Sequence, residues 1–135
     1  MKQRTVCAAL AATVFVLGLT SMAHAQVGKS LGVIDPNVAV EKDLLALPHM
    51  TPASVKALVD KRPFMSALEL NAFLQSQSLT APQLTDFYGK AFIPINLNTA
   101  GRDEIVLIPG AGARMAREFA EYRPWKSYAQ FDKEI

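Results

Sequence analysis

The chain has 135 residues, 14 Lys and Arg against 12 Asp and Glu, and one cysteine, enough for one small domain or two very small ones. That balance excludes a strongly basic protein that coats polyanions through its overall field, and the lone cysteine excludes a scaffold built on disulfides. The first 25 residues read as a signal peptide. Lys2 and Arg4 form a basic start, residues 5–22 are almost wholly apolar, and Ala23-His24-Ala25 supplies small residues for cleavage. A retained N-terminal anchor is the alternative, because the apolar run approaches the minimum length that spans a bilayer. Cleavage removes Cys7, Lys2 and Arg4, leaving twelve basic and twelve acidic residues in a cysteine-free chain, exported to a periplasmic or extracellular space.

Residues 26–32 are a polar, glycine-containing lead-in, and from Asp35 onward the sequence repeats itself. Asp35-Pro36-Asn37-Val38-Ala39 aligns with Asn96-Leu97-Asn98-Thr99-Ala100 at an offset of 61. At the same offset Leu44-Leu45-Ala46-Leu47-Pro48 falls on Ile105-Val106-Leu107-Ile108-Pro109. Lys61-Arg62-Pro63-Phe64-Met65-Ser66 likewise falls on Tyr122-Arg123-Pro124-Trp125-Lys126-Ser127. The shared Arg-Pro-aromatic-x-Ser pattern marks an internal duplication, with one unit over 33–94 and another over 95–135.

Each unit reads as short helices joined by tight turns, an all-α fold. In the first, a helix over 40–47 stops at Pro48, which cannot continue the hydrogen-bond ladder. Thr51 caps a second helix opened by Pro52, with Val55, Leu58 and Val59 on its apolar face. Ser66 caps a third helix bearing Leu68, Leu70, Phe73 and Leu74. A polar turn over 75–78 leads to a fourth, opened by Thr80 and Pro82 and carrying Leu84 and Phe87. A unit of this size buries only a small core.

The second unit begins near Thr99, with Asp103 and Glu104 in the first turn of its first helix. Its second helix, over 113–122, is expected to bury Met115, Ala116, Phe119 and Ala120. Arg114 with Glu118 and Arg117 with Glu121 are spaced for surface ion pairs. Ser127 caps a third helix with Tyr128 and Phe131. The last turn and fourth helix of the first unit have no counterpart, so the second unit is expected to be truncated, or completed by a partner.

Between the first two helices of the second unit lies Leu107-Ile108-Pro109-Gly110-Ala111-Gly112-Ala113-Arg114-Met115-Ala116-Arg117. Gly110 and Gly112 can adopt positive φ and admit a ligand close to the backbone. The helix that follows presents free N–H groups and the positive end of its dipole, a setting suited to a phosphate. Arg114 and Arg117 add positive charge beside it. The alternative on these residues alone is a tight helix–helix turn without a ligand.

Ile95-Asn96-Leu97-Asn98-Thr99-Ala100, the Leu107-Ile108-Pro109-Gly110-Ala111-Gly112 turn and Tyr122-Arg123-Pro124-Trp125-Lys126-Ser127 resemble the helix-hairpin-helix module of ComEA-type DNA receptors. The resemblance implies tandem helix-hairpin-helix units of the SAM-like, RuvA domain 2-like class, the second incomplete at its C-terminus. It implies non-specific binding of double-stranded DNA through backbone phosphates, in DNA uptake. The phosphate contacts would be Gly110, Ala111, Gly112 and Ala113, with Arg114 and Arg117 as side-chain contacts and Ala111 pinning the turn to the core. Some members hold a monovalent cation on hairpin carbonyls; otherwise no cofactor is expected. Pro48-His49-Met50-Thr51 in the first unit has no glycine, so its hairpin is expected to keep the fold without the site. Met115 stands where such receptors often carry a lysine.

Ile34-Asp35-Pro36-Asn37, Thr51-Pro52 and Pro63-Phe64-Met65-Ser66 are also similar to PsbU-type extrinsic subunits of photosystem II. That resemblance implies the alternative function, a docking module in an exported or membrane-associated protein complex that leaves DNA alone. An enzyme and a small-molecule substrate are not expected. The exported chain keeps one histidine, His49, and no cysteine, and its carboxylates scatter over helix faces without a metal or nucleophile pattern.

Overall fold

Local capping chemistry decides where most helices of this protein begin. A computed structural model describes residues 32–135; the expected signal peptide and nearly all of the lead-in, at 1–31, lie outside the described residues. The helices are α1 (Glu41–Leu45), α2 (Pro52–Lys61), α3 (Ala67–Ser76), α4 (Ala81–Tyr88), α5 (Arg102–Ile105), α6 (Ala113–Glu121) and α7 (Tyr128–Glu134). At the start of α2 the Thr51 hydroxyl accepts from the Ser54 N–H at 3.2 Å and the Ser54 hydroxyl accepts from the Thr51 N–H at 2.8 Å. Ser66 and Ser127 accept from the N–H three residues on, each at 3.1 Å, to start α3 and α7. Gln83 reaches back to the Thr80 N–H at 2.8 Å to start α4. Each such cap contributes about 1 kcal/mol by pairing donors that the helix itself leaves free.

The described residues are all-α, apart from an isolated parallel bridge between Ile34 and Ala91 that ties the start of the described chain to the segment following α4. No helix among them is long and apolar enough to cross a membrane. Two apolar clusters result. The larger gathers Leu44, Leu58, Phe64, Leu70, Leu74 and Phe87 from α1 to α4 and the connecting turns. The smaller gathers Ala100, Ile105, Ala111, Ala116 and Phe119, with Phe131 and Ile135 packed against it. Trp125 roofs this second cluster, with its ring 5.1 Å from Phe131 and its indole N–H donating to the Phe119 carbonyl at 3.0 Å.

The same hydrogen bonds recur 61 residues apart. Asn37 brackets Phe64, accepting from its N–H at 2.8 Å and donating to its carbonyl at 2.9 Å. Asn98 brackets Trp125 in the same way, at 2.6 and 3.1 Å. Arg62 donates to the Ala39 carbonyl and Arg123 to the Ala100 carbonyl. The Arg62–Pro63 and Arg123–Pro124 peptide bonds are both cis. The repeated Asn and Arg-Pro-aromatic positions are therefore the staples that fold each loop back onto the start of its own unit. A further bond joins the units: Glu104 on α5 accepts from the Ala67 N–H at the start of α3, at 3.2 Å. Leu107 packs on the larger cluster, anchoring the second hairpin to the first unit.

Several element boundaries differ from expectation. α1 is shorter than residues 40–47, since the chain turns from Ala46 to reach Pro48, and α3 runs on to Ser76. α6 ends at Glu121, and Ala120, expected in the core, is exposed, while Met115 is only half-buried. Both follow from the roll of α6: Ala116 and Phe119 face the cluster, and the row through Ala113, Arg117 and Ala120 faces outward.

Candidate functional site

The glycine-bearing hairpin joins α5 to α6. The Ile108 N–H donates to Ile105, the Ala111 N–H to Ile108 and the Gly112 N–H to Gly110, at 3.0, 2.9 and 3.1 Å. Gly110 sits at φ +86°, a left-handed conformation in which a side chain is strained. Gly112 is extended, and a Cβ added there would meet nothing within 4 Å. Its missing side chain is thus not required by packing; it keeps the space before α6 open. Ala111, between them, is 5% exposed and belongs to the smaller cluster, so it fixes the turn to the core.

The helix start beyond the hairpin is bare. Gly112 offers no side-chain cap to α6, and no acidic residue lies in its first turn. The leading N–H groups of Ala113, Arg114 and Met115 therefore point outward with the positive end of the dipole. Arg114 reaches back along the helix, its Nε donating to Glu118 Oε1 at 2.9 Å; that hydrogen bond and the carboxylate's charge raise its pKa further. Arg117 makes no ion pair among the described residues, and the expected Arg117–Glu121 pair does not form. Gly110, Ala111, Gly112, Ala113 and Arg114 thus lie at the start of α6, with Arg117 one turn further along it.

Sequence reading missed Arg102. A groove of about 540 Å³ is lined by Arg102, Ala113, Arg114, Ala116, Arg117 and Ala120, bringing the first residue of α5 to the flank of α6. The signal that could have found it is the repeat alignment, in which Arg102 replaces Glu41.

The first hairpin has the same path with different chemistry. His49 stands where Gly110 does and takes φ +62°, and its Nε2 lies 2.8 Å from Asp86 Oδ2 on α4. Thr51 stands where Gly112 does, and its hydroxyl accepts from the Ser54 N–H, the counterpart of the Met115 N–H that α6 leaves free, while Pro52 in place of Ala113 has no N–H to offer. Lys56 stands where Arg117 does and is held by Asp60 at 2.6 Å. The hairpin geometry survives without glycine, but fewer of its donors are free and its cation is taken.

The aromatic residues are mostly structural. Phe64, Tyr88 and Trp125 are buried, while Tyr122 is partly exposed with its ring 6.0 Å from Trp125. Burial pushes the Tyr88 phenol above its ordinary pKa, and its hydroxyl donates to Asn71 Oδ1 at 3.0 Å. Among the described residues no group of three or more His, Cys, Asp or Glu is placed to hold a metal ion. The chain matches no family model, and no curated protein or solved structure matches it either.

Proposed function

We propose that this chain is an exported, non-enzymatic protein of tandem helix-hairpin-helix units, similar to ComEA-type receptors, that binds double-stranded DNA through its phosphates. The observation that carries the reading is the bare start of α6. Its leading N–H groups have no side-chain partner and its first turn carries no acid, and it follows Gly110 and Gly112 with Arg114 and Arg117 beside it. A phosphate oxygen there accepts from backbone N–H groups while the arginines neutralise its charge. Such contacts grip the backbone and read no base, so binding is independent of sequence. The reading needs no cofactor. With twelve charges of each sign after loss of the leader, affinity is weak at physiological salt.

The test is binding of the leaderless protein to two duplexes of unrelated sequence at low salt. Equal affinity for both, lost on Gly112→Val and weakened on Arg114→Ala, supports the reading. Strong preference for one duplex, or no effect of either substitution, contradicts it.

The docking alternative has its own support on the first unit. Val38, Val40 and Met65 are 77, 61 and 82% exposed, and the loops that carry them are stapled together by Asn37. A stable protein partner recovered by crosslinking through this patch, with no duplex binding, would favour docking.

A further inference from the structure

The groove does not stop at the hairpin. Ala113, Ala116, Arg117 and Ala120 form one row along α6, and Arg102 stands on the facing wall. It is lined by three alanines, Ala113 and Ala120 exposed and Ala116 set deeper in the smaller cluster, and by Arg102, Arg114 and Arg117. Neither Arg102 nor Arg117 has an ion-pair partner among the described residues.

The first unit serves as an internal control. The matching positions there are Glu41, Pro52, Ala53, Val55, Lys56 and Val59. Asp60, by hydrogen bond and charge, and Glu41, by its charge, both stabilise the Lys56 ammonium, so that surface is self-neutralised. Pro52, Val55 and Val59, all larger, stand at the positions of the three alanines. Arg102 also occupies the first position of α5, where the helix dipole disfavours a cation and where the first unit places Glu41. Two departures coincide in one groove: a cation against the dipole and a lining cut back to methyl groups.

We propose that Arg102, with Arg117 shared between the two positions, holds a second phosphate of the same DNA strand, next to the one seated at the hairpin, with the intervening sugar lying against the alanines. This rests on the phosphate-binding reading above and extends the site from the tip of α6 to its flank. An anion between two unpaired guanidinium groups gains charge-assisted hydrogen bonds from both, while the apolar face of a deoxyribose suits the alanine methyl groups.

The experiment is duplex binding by the leaderless protein as a function of salt, for wild type, Arg102→Gln, Arg102→Glu and Arg102→Lys, with Lys42→Gln as a control on the first unit. Losing one phosphate contact reduces the steepness of log K against log salt by about 0.9, which weakens binding about eightfold at 0.1 M salt. The proposal expects that change for Arg102→Gln, a larger loss for Arg102→Glu, a slope near wild type for Arg102→Lys, and no change for Lys42→Gln. Unchanged slope and affinity in Arg102→Gln and Arg102→Glu, with binding still lost in Gly112→Val, overturn the inference and leave the hairpin site standing. A wild-type protein that binds no duplex overturns both. Arg102 is exposed at a helix start, and thermal melts of all variants check that the fold is kept.

Discussion

Gly110 and Gly112 look alike in the sequence and do different things in the fold. Gly110 takes a left-handed φ, so Gly110→Ala is expected to destabilise the protein by about 1 kcal/mol, measured by chemical denaturation. Gly112 has an ordinary extended backbone with open space around it, so Gly112→Ala is expected to leave stability within about 0.5 kcal/mol of wild type while weakening duplex binding. A large stability loss in Gly112→Ala would show that its role is structural. The pattern Gly-Ala-Gly was legible in the sequence; which glycine serves the turn and which the approach was not, because φ depends on how the loop is tied to the core through Ala111. His49 makes the same point, holding a left-handed φ with no sequence signal beyond its alignment with Gly110. Tyr88 gives a pH prediction. Its phenol pKa is raised by burial, so the neutral form is favoured in the folded state. The stabilisation is intact below the ordinary value of 10.0 and is lost as pH rises above it. Tyr88→Phe is expected to flatten that alkaline decline in a pH series of melts, and an unchanged decline would refute the assignment.

Elements were legible where capping chemistry and proline fixed them. Thr51-Pro52, Ser66, Thr80 with Pro82, and Ser127 all start helices where the sequence places them, because a cap acts within four residues of chain. The roll of α6 was not legible. Its alanines satisfy a core face and an exposed face equally, and only the position of α5 turns Ala120 and Arg117 toward Arg102. The expected Arg117–Glu121 pair failed for a related reason: spacing four residues apart permits such a pair, but an exposed one contributes too little to fix two long side chains. The repeat's staples are a sharper element-scale matter. Asn37 and Asn98 each make two hydrogen bonds to an aromatic residue 27 positions away. Removing either side chain leaves part-buried backbone groups unpaired, so Asn37→Ala and Asn98→Ala are each expected to cost about 2 kcal/mol. Denaturation of both variants checks this, and a cost below about 0.5 kcal/mol would show that solvent replaces the bonds.

At the scale of the whole molecule, the duplication has produced two units that share a path and differ in what they leave free. In the first, Thr51 and Ser54 cap the helix start, Asp60 holds Lys56 and Asp86 holds His49. In the second, the corresponding groups are bare, and the cations converge on a groove. The proposed binding, by so small a patch on a chain of balanced charge, would rest on few phosphate contacts, in contrast to a basic protein whose whole surface contributes. The most direct measurement is therefore a salt titration of the leaderless protein with duplex DNA. The account predicts saturable, sequence-independent binding at low salt with log K falling against log salt at a slope of about −2 to −3, as expected for two or three phosphates. Absence of binding at the lowest salt, or affinity that does not change with salt, would contradict it.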